Sequence, residues 1–243
     1  SKVYYDATAL KTNTLTPGSQ QVVKKLDGGL TITTYMNILD ENYGSALPSQ
    51  LKSDFELFEQ YVRFKPEIKM KYVYYYDKVK NEDLDKRYPD MNDEERAREL
   101  AKGLEMDFKM FLSPEQIRQK IDLSSEGNHF VRLIERESGE KTFLRVFDDN
   151  KRLPSEAEIS AVLKTMVAES PRIAFLSGHG ERNIYDGSGV NYTSFTTVLD
   201  SRSALVNQGY TPYTLTLTEG GDIPSDVDVL VIADLRKALT DDE

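Results

Sequence analysis

The chain has 243 residues, of which 39% are hydrophobic and 30% charged, and its formal net charge is −10. This composition is ordinary for a globular protein, and the acidic balance argues against a nucleic-acid-binding surface, which needs a basic stripe. Because the sequence contains no cysteine, disulfides, thiolate metal sites and thiol nucleophiles are excluded.

The length suits one large domain or two smaller ones. We predict an N-terminal α/β lobe over residues 1–150 and a C-terminal lobe over residues 151–243. The sequence has no run of eighteen apolar residues that would span a membrane. Both ends look like cuts within a longer protein, because residues 3–5 are already strand-like and residues 239–243 resemble the first turn of a helix.

The N-terminal lobe is predicted to open with a helix and a β-α-β unit. Thr16 is a suitable helix cap, with Pro17 at the first helical position. Strand-forming residues dominate 30–36 and 68–76, and helical spacing of apolar residues connects them over 48–64. This pattern indicates a thioredoxin-like lobe, although without cysteine it cannot carry out thioredoxin redox chemistry.

The second strand of this unit contains a cluster of tyrosines: Tyr72, Tyr74, Tyr75 and Tyr76. One interpretation is an aromatic platform for a carbohydrate. The interpretation we favour is a strand whose tyrosine rings fill the edge of the core and whose hydroxyls reach its rim.

Further along the lobe, the polar segment 81–93 is interpreted as a loop. Asn92 and Ser113 each begin a capping box and therefore a helix. We predict a β-hairpin within residues 129–147, with Gly139 in its turn.

His129 stands at the start of that hairpin. We interpret it as a surface residue and not as a ligand-binding one.

The C-terminal lobe is predicted to be a flavodoxin-like parallel sheet that is incomplete at its C-terminus. Helices are expected over 154–168 and 193–208, and strands over 172–176, 211–217 and 227–233. We expect strand 172–176 to lie between the other two strands. The near-continuous apolar strand 227–233 is predicted to be central and covered on both faces.

The best candidate for a ligand or partner contact is the loop that follows strand 172–176. Its residues are Ser177, Gly178, His179, Gly180 and Glu181. Loops at the carboxyl ends of parallel strands commonly carry binding sites, and Asp234 is predicted to line the same crevice.

Three interpretations of this loop compete. In a catalytic one, Asp234 orients His179 as a base and Ser177 is the nucleophile, but the G-x-S-x-G pattern of a nucleophile elbow is absent. In the second interpretation, a ligand or metal is bound by His179, Glu181 and Asp234. The chain has only two histidines and no cysteine, which argues against a tight transition-metal site. In the third, which we favour, the glycines permit a tight turn and the polar side chains satisfy the loop backbone.

Several segments, in the right order, resemble the extracytoplasmic part of gliding-motility-associated ABC-transporter auxiliary proteins. The similar segments are Tyr-Asp-Ala-Thr at 5–8, Asn-Thr-Leu-Thr-Pro-Gly-Ser at 13–19, residues 22–27 and 30–35, Ile-Ala-Phe-Leu-Ser-Gly-His-Gly-Glu at 173–181, 226–233 and 238–243. The chain departs from the family pattern at Ala7, where leucine is usual, and at Gly28-Gly29-Leu30. Segment 81–125 matches little.

The resemblance implies a non-catalytic domain, held on the periplasmic face of the cytoplasmic membrane by flanking helices outside this chain. It implies partnership with the permease and ATPase subunits of an ABC transporter and no established enzyme activity. We predict a role in protein–protein contact or substrate capture, without a cofactor. The family's second domain is likened to class I glutamine amidotransferases, whose chemistry needs a nucleophilic cysteine that is missing here. The alternative from another class is a hydrolase or carbohydrate-binding enzyme that uses His179 and Asp234.

Overall fold

A computed structural model describes residues 14–188, 190–217 and 222–240. Its contacts divide the chain into two compact units that meet in sequence between Leu144 and Arg145. The predicted two-lobe α/β architecture is confirmed. The predicted boundary lay slightly later, after residue 150. The intervening segment hydrogen-bonds within the C-terminal unit, where the Asp148 amide donates to the Asp200 carbonyl at 2.8 Å.

The N-terminal unit contains a four-stranded mixed sheet in the order β2-β1-β3-β4. Strand β1 pairs in parallel with β2 and antiparallel with β3. The elements of this unit, in chain order, are α1 (Pro17–Lys25), β1 (Leu30–Asn37), α2 (Leu51–Phe64), β2 (Ile68–Tyr75), α3 (Glu82–Arg87), α4 (Asp93–Gly103), α5 (Pro114–Lys120), β3 (Val131–Arg136) and β4 (Lys141–Arg145).

Local sequence signals explain where these helices begin. The Thr16 hydroxyl accepts a hydrogen bond from the Ser19 amide, with Pro17 in the first turn of α1. The predicted capping boxes at Asn92 and Ser113 are both present, at the starts of α4 and α5. These short-range bonds satisfy amides that have no partner inside the helix.

The interpretation of 81–93 as a loop is wrong in part, because α3 lies within it. Asn81 caps this helix by accepting a hydrogen bond from the Leu84 amide at 3.1 Å, and three acidic residues occupy its first turn. Leu84 is buried and anchors the helix to the unit. One apolar anchor in a six-residue helix leaves no periodic pattern for the sequence to reveal.

The tyrosines of β2 are part of the fold, as we favoured. Tyr75 is completely buried, and its hydroxyl donates to the Asn128 carbonyl at 3.1 Å. The Tyr74 hydroxyl donates to the Ala46 carbonyl at 3.0 Å. Tyr75 belongs to a core cluster that also contains Tyr35, Ile117, Leu123, Val131 and Leu133.

The C-terminal unit contains a three-stranded parallel sheet in the order β6-β5-β7. Its elements are α6 (Glu156–Lys164), β5 (Arg172–Leu176), α7 (Thr193–Thr196), β6 (Thr211–Leu215) and β7 (Val229–Val231). Strand β5 lies between the other two, as predicted. Four of its five residues are buried, and Ile173 and Phe175 form a core cluster with Ile184.

The prediction that 227–233 is a central, covered strand is wrong. Strand β7 pairs with β5 on one side only, and no strand lies on its other side in the part of the chain that the structure describes. Val229 and Ile232 are about half exposed. An apolar run indicates a strand, but it carries no information about the number of its neighbours.

The predicted helix 193–208 is also wrong, because only Thr193–Thr196 is α-helical and Leu205–Asn207 forms a single 3-10 turn. Side chains in this segment bond to backbone carbonyls in place of a continuing helix. The Thr197 hydroxyl donates to the Ile184 carbonyl at 2.6 Å, and the Asn207 amide group donates to the carbonyls of Leu199 and Ser201, each at 2.9 Å. The strand-like start at 3–5 and the acidic end of the helix expected from 239 lie outside the described residues.

Candidate functional site

The predicted loop lies at the carboxyl end of β5. The Ser177 amide donates to the Leu215 carbonyl at 2.8 Å and so continues the pairing between β5 and β6 by one residue. Gly178 and Gly180 then adopt φ values of 131° and 79°, which side chains rarely allow. The apolar strand thus ends in a sharp turn that its two glycines permit.

His179 and Glu181 form the polar centre of this loop. The His179 Nδ1 atom lies 3.3 Å from Glu181 Oε1, and their side chains are 14% and 1% exposed. The other oxygen of Glu181 accepts a hydrogen bond from the His179 backbone amide at 2.7 Å. A buried carboxylate therefore accepts a hydrogen bond from the loop backbone and lies beside the imidazole of the same residue.

The segment after β7 holds the loop from the other side. The His179 carbonyl accepts hydrogen bonds from the amides of Arg236 and Lys237 at 3.1 and 3.0 Å. The Arg182 amide donates to the Ala233 carbonyl at 2.9 Å. These bonds place the ends of β5 and β7 next to each other, as the predicted crevice requires.

Asp234 lies in this crevice, but its carboxylate pairs with arginines. Its Oδ2 atom is 3.2 Å from Arg182 Nε and 3.2 Å from Arg236 Nη2. The catalytic interpretation needed Asp234 to orient His179, whereas the carboxylate beside His179 is that of Glu181. All six predicted residues therefore share one region, with a different pairing of charges from the one the catalytic interpretation requires.

A second polar cluster, which the sequence analysis missed, lies at the carboxyl edge of the β1/β2 pair. Asn37 is completely buried at the end of β1, and its amide group donates to the carbonyls of Asp77 and Asn128 at 2.8 and 3.0 Å. Its oxygen accepts from the Leu39 amide at 3.1 Å. One side chain thus joins the ends of β1 and β2 to the segment that leads into β3.

In this cluster, two buried carboxylates each pair with a more exposed cationic or ionisable side chain. His129 Nδ1 lies 2.6 Å from Asp40 Oδ2, and Arg118 Nη2 donates to both oxygens of Asp77 at 2.7 and 2.8 Å. Asp40 and Asp77 are 0% and 4% exposed in their side chains, whereas His129 and Arg118 are 46% and 62% exposed. His129 is therefore at the surface, as predicted, but a buried acid orients its ring.

Comparisons with known proteins identify no relative: no family model, no curated protein and no solved structure matches the chain. In residues 14–188, 190–217 and 222–240, no helix is long and apolar enough to cross a membrane. The same residues contain no group of three or more histidine, aspartate or glutamate side chains that could hold a metal ion.

The sequence contains a signal for the missed cluster. Asn37 and Asp77 stand where two predicted parallel strands end, which is the same positional rule that drew attention to Ser177. Asp40 and His129, however, are 89 positions apart, and Asp77 and Arg118 are 41 apart. Such pairs become visible only when the fold brings their segments together.

Proposed function

We propose that this chain is a non-catalytic extracytoplasmic module of a membrane-anchored ABC-transporter auxiliary protein of the gliding-motility type. It acts in protein–protein contact or substrate capture at the periplasmic face of the cytoplasmic membrane. Its partners are the permease and ATPase subunits of the same transporter, and the loop 177–181 is the contact point. The ordered set of segments that resemble this family supports the proposal, and so does the two-lobe α/β architecture.

The observation that carries the proposal is the way the loop uses its polar groups. Glu181 accepts a hydrogen bond from the His179 backbone amide and lies beside its ring, and the His179 carbonyl accepts hydrogen bonds from two amides beyond β7. Asp234 is neutralised by the guanidinium groups of Arg182 and Arg236. A surface whose charged groups hold each other in place suits recognition of a partner, where pre-organisation reduces the entropic cost of binding.

The exposed residues beside this loop provide positions for a test. A photo-crosslinking amino acid is introduced at Lys237, which is exposed next to the His179 carbonyl. The full chain carrying it is incubated with detergent-solubilised membranes of the source organism and irradiated, and the products are identified by mass spectrometry. We expect adducts with an ABC-transporter permease or ATPase subunit.

A matched probe at the exposed Lys102 on α4 reports contacts that do not involve the loop. Transporter adducts from Lys237 with few from Lys102 support the proposal. If both probes give transporter adducts in equal amounts, the loop is not the contact point. If neither probe gives an adduct with a transporter subunit, the proposed function is contradicted. Turnover of an ester or glycoside substrate that His179→Ala abolishes supports the rival enzyme.

A further inference from the structure

Strand β2 forms one edge of the N-terminal sheet, and the end of this edge is already paired with another segment. The Leu112 amide donates to the Tyr74 carbonyl at 2.9 Å, and the Tyr76 amide donates to the Leu112 carbonyl at 3.1 Å. The Tyr75 carbonyl, in contrast, accepts from the Ile38 amide on the β1 side at 3.0 Å. The backbone groups of Tyr74 and Tyr76 therefore point away from β1.

The earlier part of this edge has no such partner strand. Because backbone groups alternate in direction along a strand, those of Met70 and Tyr72 point the same way as those of Tyr74, away from β1. In the part of the chain that the structure describes, no strand of the sheet lies beyond them. Their amides and carbonyls are thus arranged to pair with an added strand, which is how exposed sheet edges bind extended peptides.

The unpaired part of β2 is held in position by the buried polar groups behind it. The Tyr72 hydroxyl donates to Asp54 Oδ2 of helix α2 at 2.8 Å, and Asp54 is buried. The other oxygen of this carboxylate pairs with the buried guanidinium of Arg132 on β3. An edge that is fixed before a peptide arrives loses little conformational entropy on binding.

Two lysines beside this edge favour an acidic partner. Lys69 and Lys71 are two residues apart and share one face of β2, opposite to the face on which Tyr72 meets α2. Both are exposed, and among the described residues neither ammonium group has an ion-pair partner. Side chains directly opposite in an added strand come within about 5 Å of them, so carboxylates two residues apart can pair with both.

The same lysines argue against a second copy of this chain as the partner. Antiparallel pairing of two β2 edges would set Lys69 of each copy opposite Lys71 of the other, and like charges directly opposite are unfavourable. An acidic strand does not meet this obstacle. The net charge of −10 on the whole chain opposes it only weakly, because salt screens exposed charges beyond about 8 Å.

We propose that the edge of β2 binds an extended peptide segment of another protein that carries acidic side chains at alternate positions. The backbone of the segment pairs with Met70 and Tyr72, and its carboxylates pair with Lys69 and Lys71. The intervening residue lies on the other face, beside Met70 and Tyr72, where an apolar side chain fits. This site is in the N-terminal unit and does not depend on the function proposed for the loop 177–181.

An NMR titration of the isotope-labelled full chain tests the site with a capped peptide of sequence Val-Glu-Val-Glu-Val. We expect saturable shifts of the Met70 and Tyr72 amide signals, with a Kd below about 1 mM. The peptide Val-Val-Glu-Glu-Val has the same composition but cannot place both glutamates on one face of a strand. We expect it to bind about fivefold more weakly, because it loses one of the two charge pairs.

N-methylated peptides separate strand pairing from simple charge attraction. One peptide is methylated at both glutamate amides, and another at the amides of the second and third valines. In a parallel strand the glutamate amides face the edge, as the Leu112 amide does opposite Tyr75, whereas in an antiparallel strand the valine amides do. Methylation should therefore abolish binding of one peptide only, and this peptide gives the direction of the strand. Equal binding by the two methylated peptides overturns the proposal.

Charge reversal connects the binding to the two lysines. The double variant Lys69→Glu with Lys71→Glu should bind the glutamate peptide at least about tenfold more weakly, and should instead bind Val-Lys-Val-Lys-Val. The matched control, Lys86→Glu with Lys102→Glu at exposed positions of α3 and α4, should bind like the wild-type chain.

Three results of these titrations would overturn the proposal. The first is that the wild-type chain does not bind the glutamate peptide at about 1 mM. The second is that the shifted signals lie away from β2. The third is that the reversed variant binds the glutamate peptide as tightly as the control variant does, or binds neither peptide, as expected if Lys69 and Lys71 only protect the edge from pairing.

Discussion

The Arg132 guanidinium donates a hydrogen bond to the Asp54 carboxylate, and both side chains are almost completely buried, with 0% and 1% exposure. The Tyr72 hydroxyl donates to the second oxygen of Asp54 at 2.8 Å. Tyr72 and Arg132 are both cross-strand neighbours of Thr34 and so share one face of the sheet. This group of three side chains therefore ties helix α2 to strands β2 and β3.

Removing one member of the buried ion pair should be costly, and the costs of removing the two members should not add. Arg132→Met leaves the Asp54 charge without its counter-ion, and we expect a loss of about 3–5 kcal/mol in the free energy of unfolding. The double variant Asp54→Leu with Arg132→Met should lose less than the sum of the two single variants. Urea denaturation of the three variants measures this coupling, and strictly additive losses would contradict it.

The Asp40 carboxylate should contribute more to stability than the His129 ring that it orients. Asp40 is fully buried and also accepts hydrogen bonds from the amides of Asn42 and Phe130 at 2.6 and 3.2 Å. Asp40→Ala leaves these donors without their acceptor, which costs about 1–3 kcal/mol for each buried donor. His129→Ala removes one partner of the Asp40 carboxylate, but because the ring is half exposed, water can take its place at that oxygen. Urea denaturation should rank the two variants in this order, and a larger loss in His129→Ala would disprove the assignment.

The fold should need glycine at position 178 because of the backbone conformation there, and not because a side chain would lack room. Its φ of 131° is strained for any side chain, whereas an added Cβ would meet only Thr216 Cγ2, at an ordinary 3.7 Å. We expect Gly178→Ala to lose about 1–2 kcal/mol, seen as a lower melting temperature. Gly187→Ala, where a Cβ would meet open space and φ is not positive, is the control. Equal melting temperatures for the two variants would contradict this role.

The sequence predicted best those features that depend on nearby residues. The capping boxes at Asn92 and Ser113 join residues three apart, and both are present. The predicted helix over 193–208 rested on equally local spacing of apolar residues. It was wrong because Thr197 and Asn207 bond to backbone carbonyls of other turns, and this competition depends on tertiary structure.

In the candidate loop, too, the sequence did not predict the features that depend on tertiary structure. The sequence predicted that residues 177–181 and Asp234 lie at one crevice, because strand ends of a parallel sheet meet at one edge. It did not reveal that the carboxylate beside His179 belongs to Glu181, or that Asp234 faces two arginines. Strand patterns fix which edge a residue reaches, while side-chain pairing depends on local backbone geometry such as the left-handed φ of 59° at Asp234.

Arg202 should make the stability of the C-terminal unit sensitive to acid. It donates to both oxygens of Asp149 at 2.6 and 3.0 Å and to Glu158 at 2.8 Å. The hydrogen bonds from Arg202 hold the pKa of Asp149 well below its ordinary value. Burial raises the pKa of Glu158, but hydrogen bonds from Ser155 and the charge of Arg202 outweigh it, so the pKa is lowered.

Both carboxyls thus have a lower pKa in the folded protein than in the unfolded chain, where ordinary values lie near 4. Their stabilising effect is complete above that range and is lost as the pH falls below it, because protons bind the unfolded chain more readily. We expect the melting temperature of the wild-type chain to fall steeply below about pH 4.5. Arg202→Gln should lower the melting temperature at pH 7 and make its dependence on pH shallower below about pH 4. Lys164→Gln, a change at an exposed position of α6, should keep the pH dependence of the wild-type chain. An unchanged slope in Arg202→Gln would mean that other carboxyls cause the acid sensitivity.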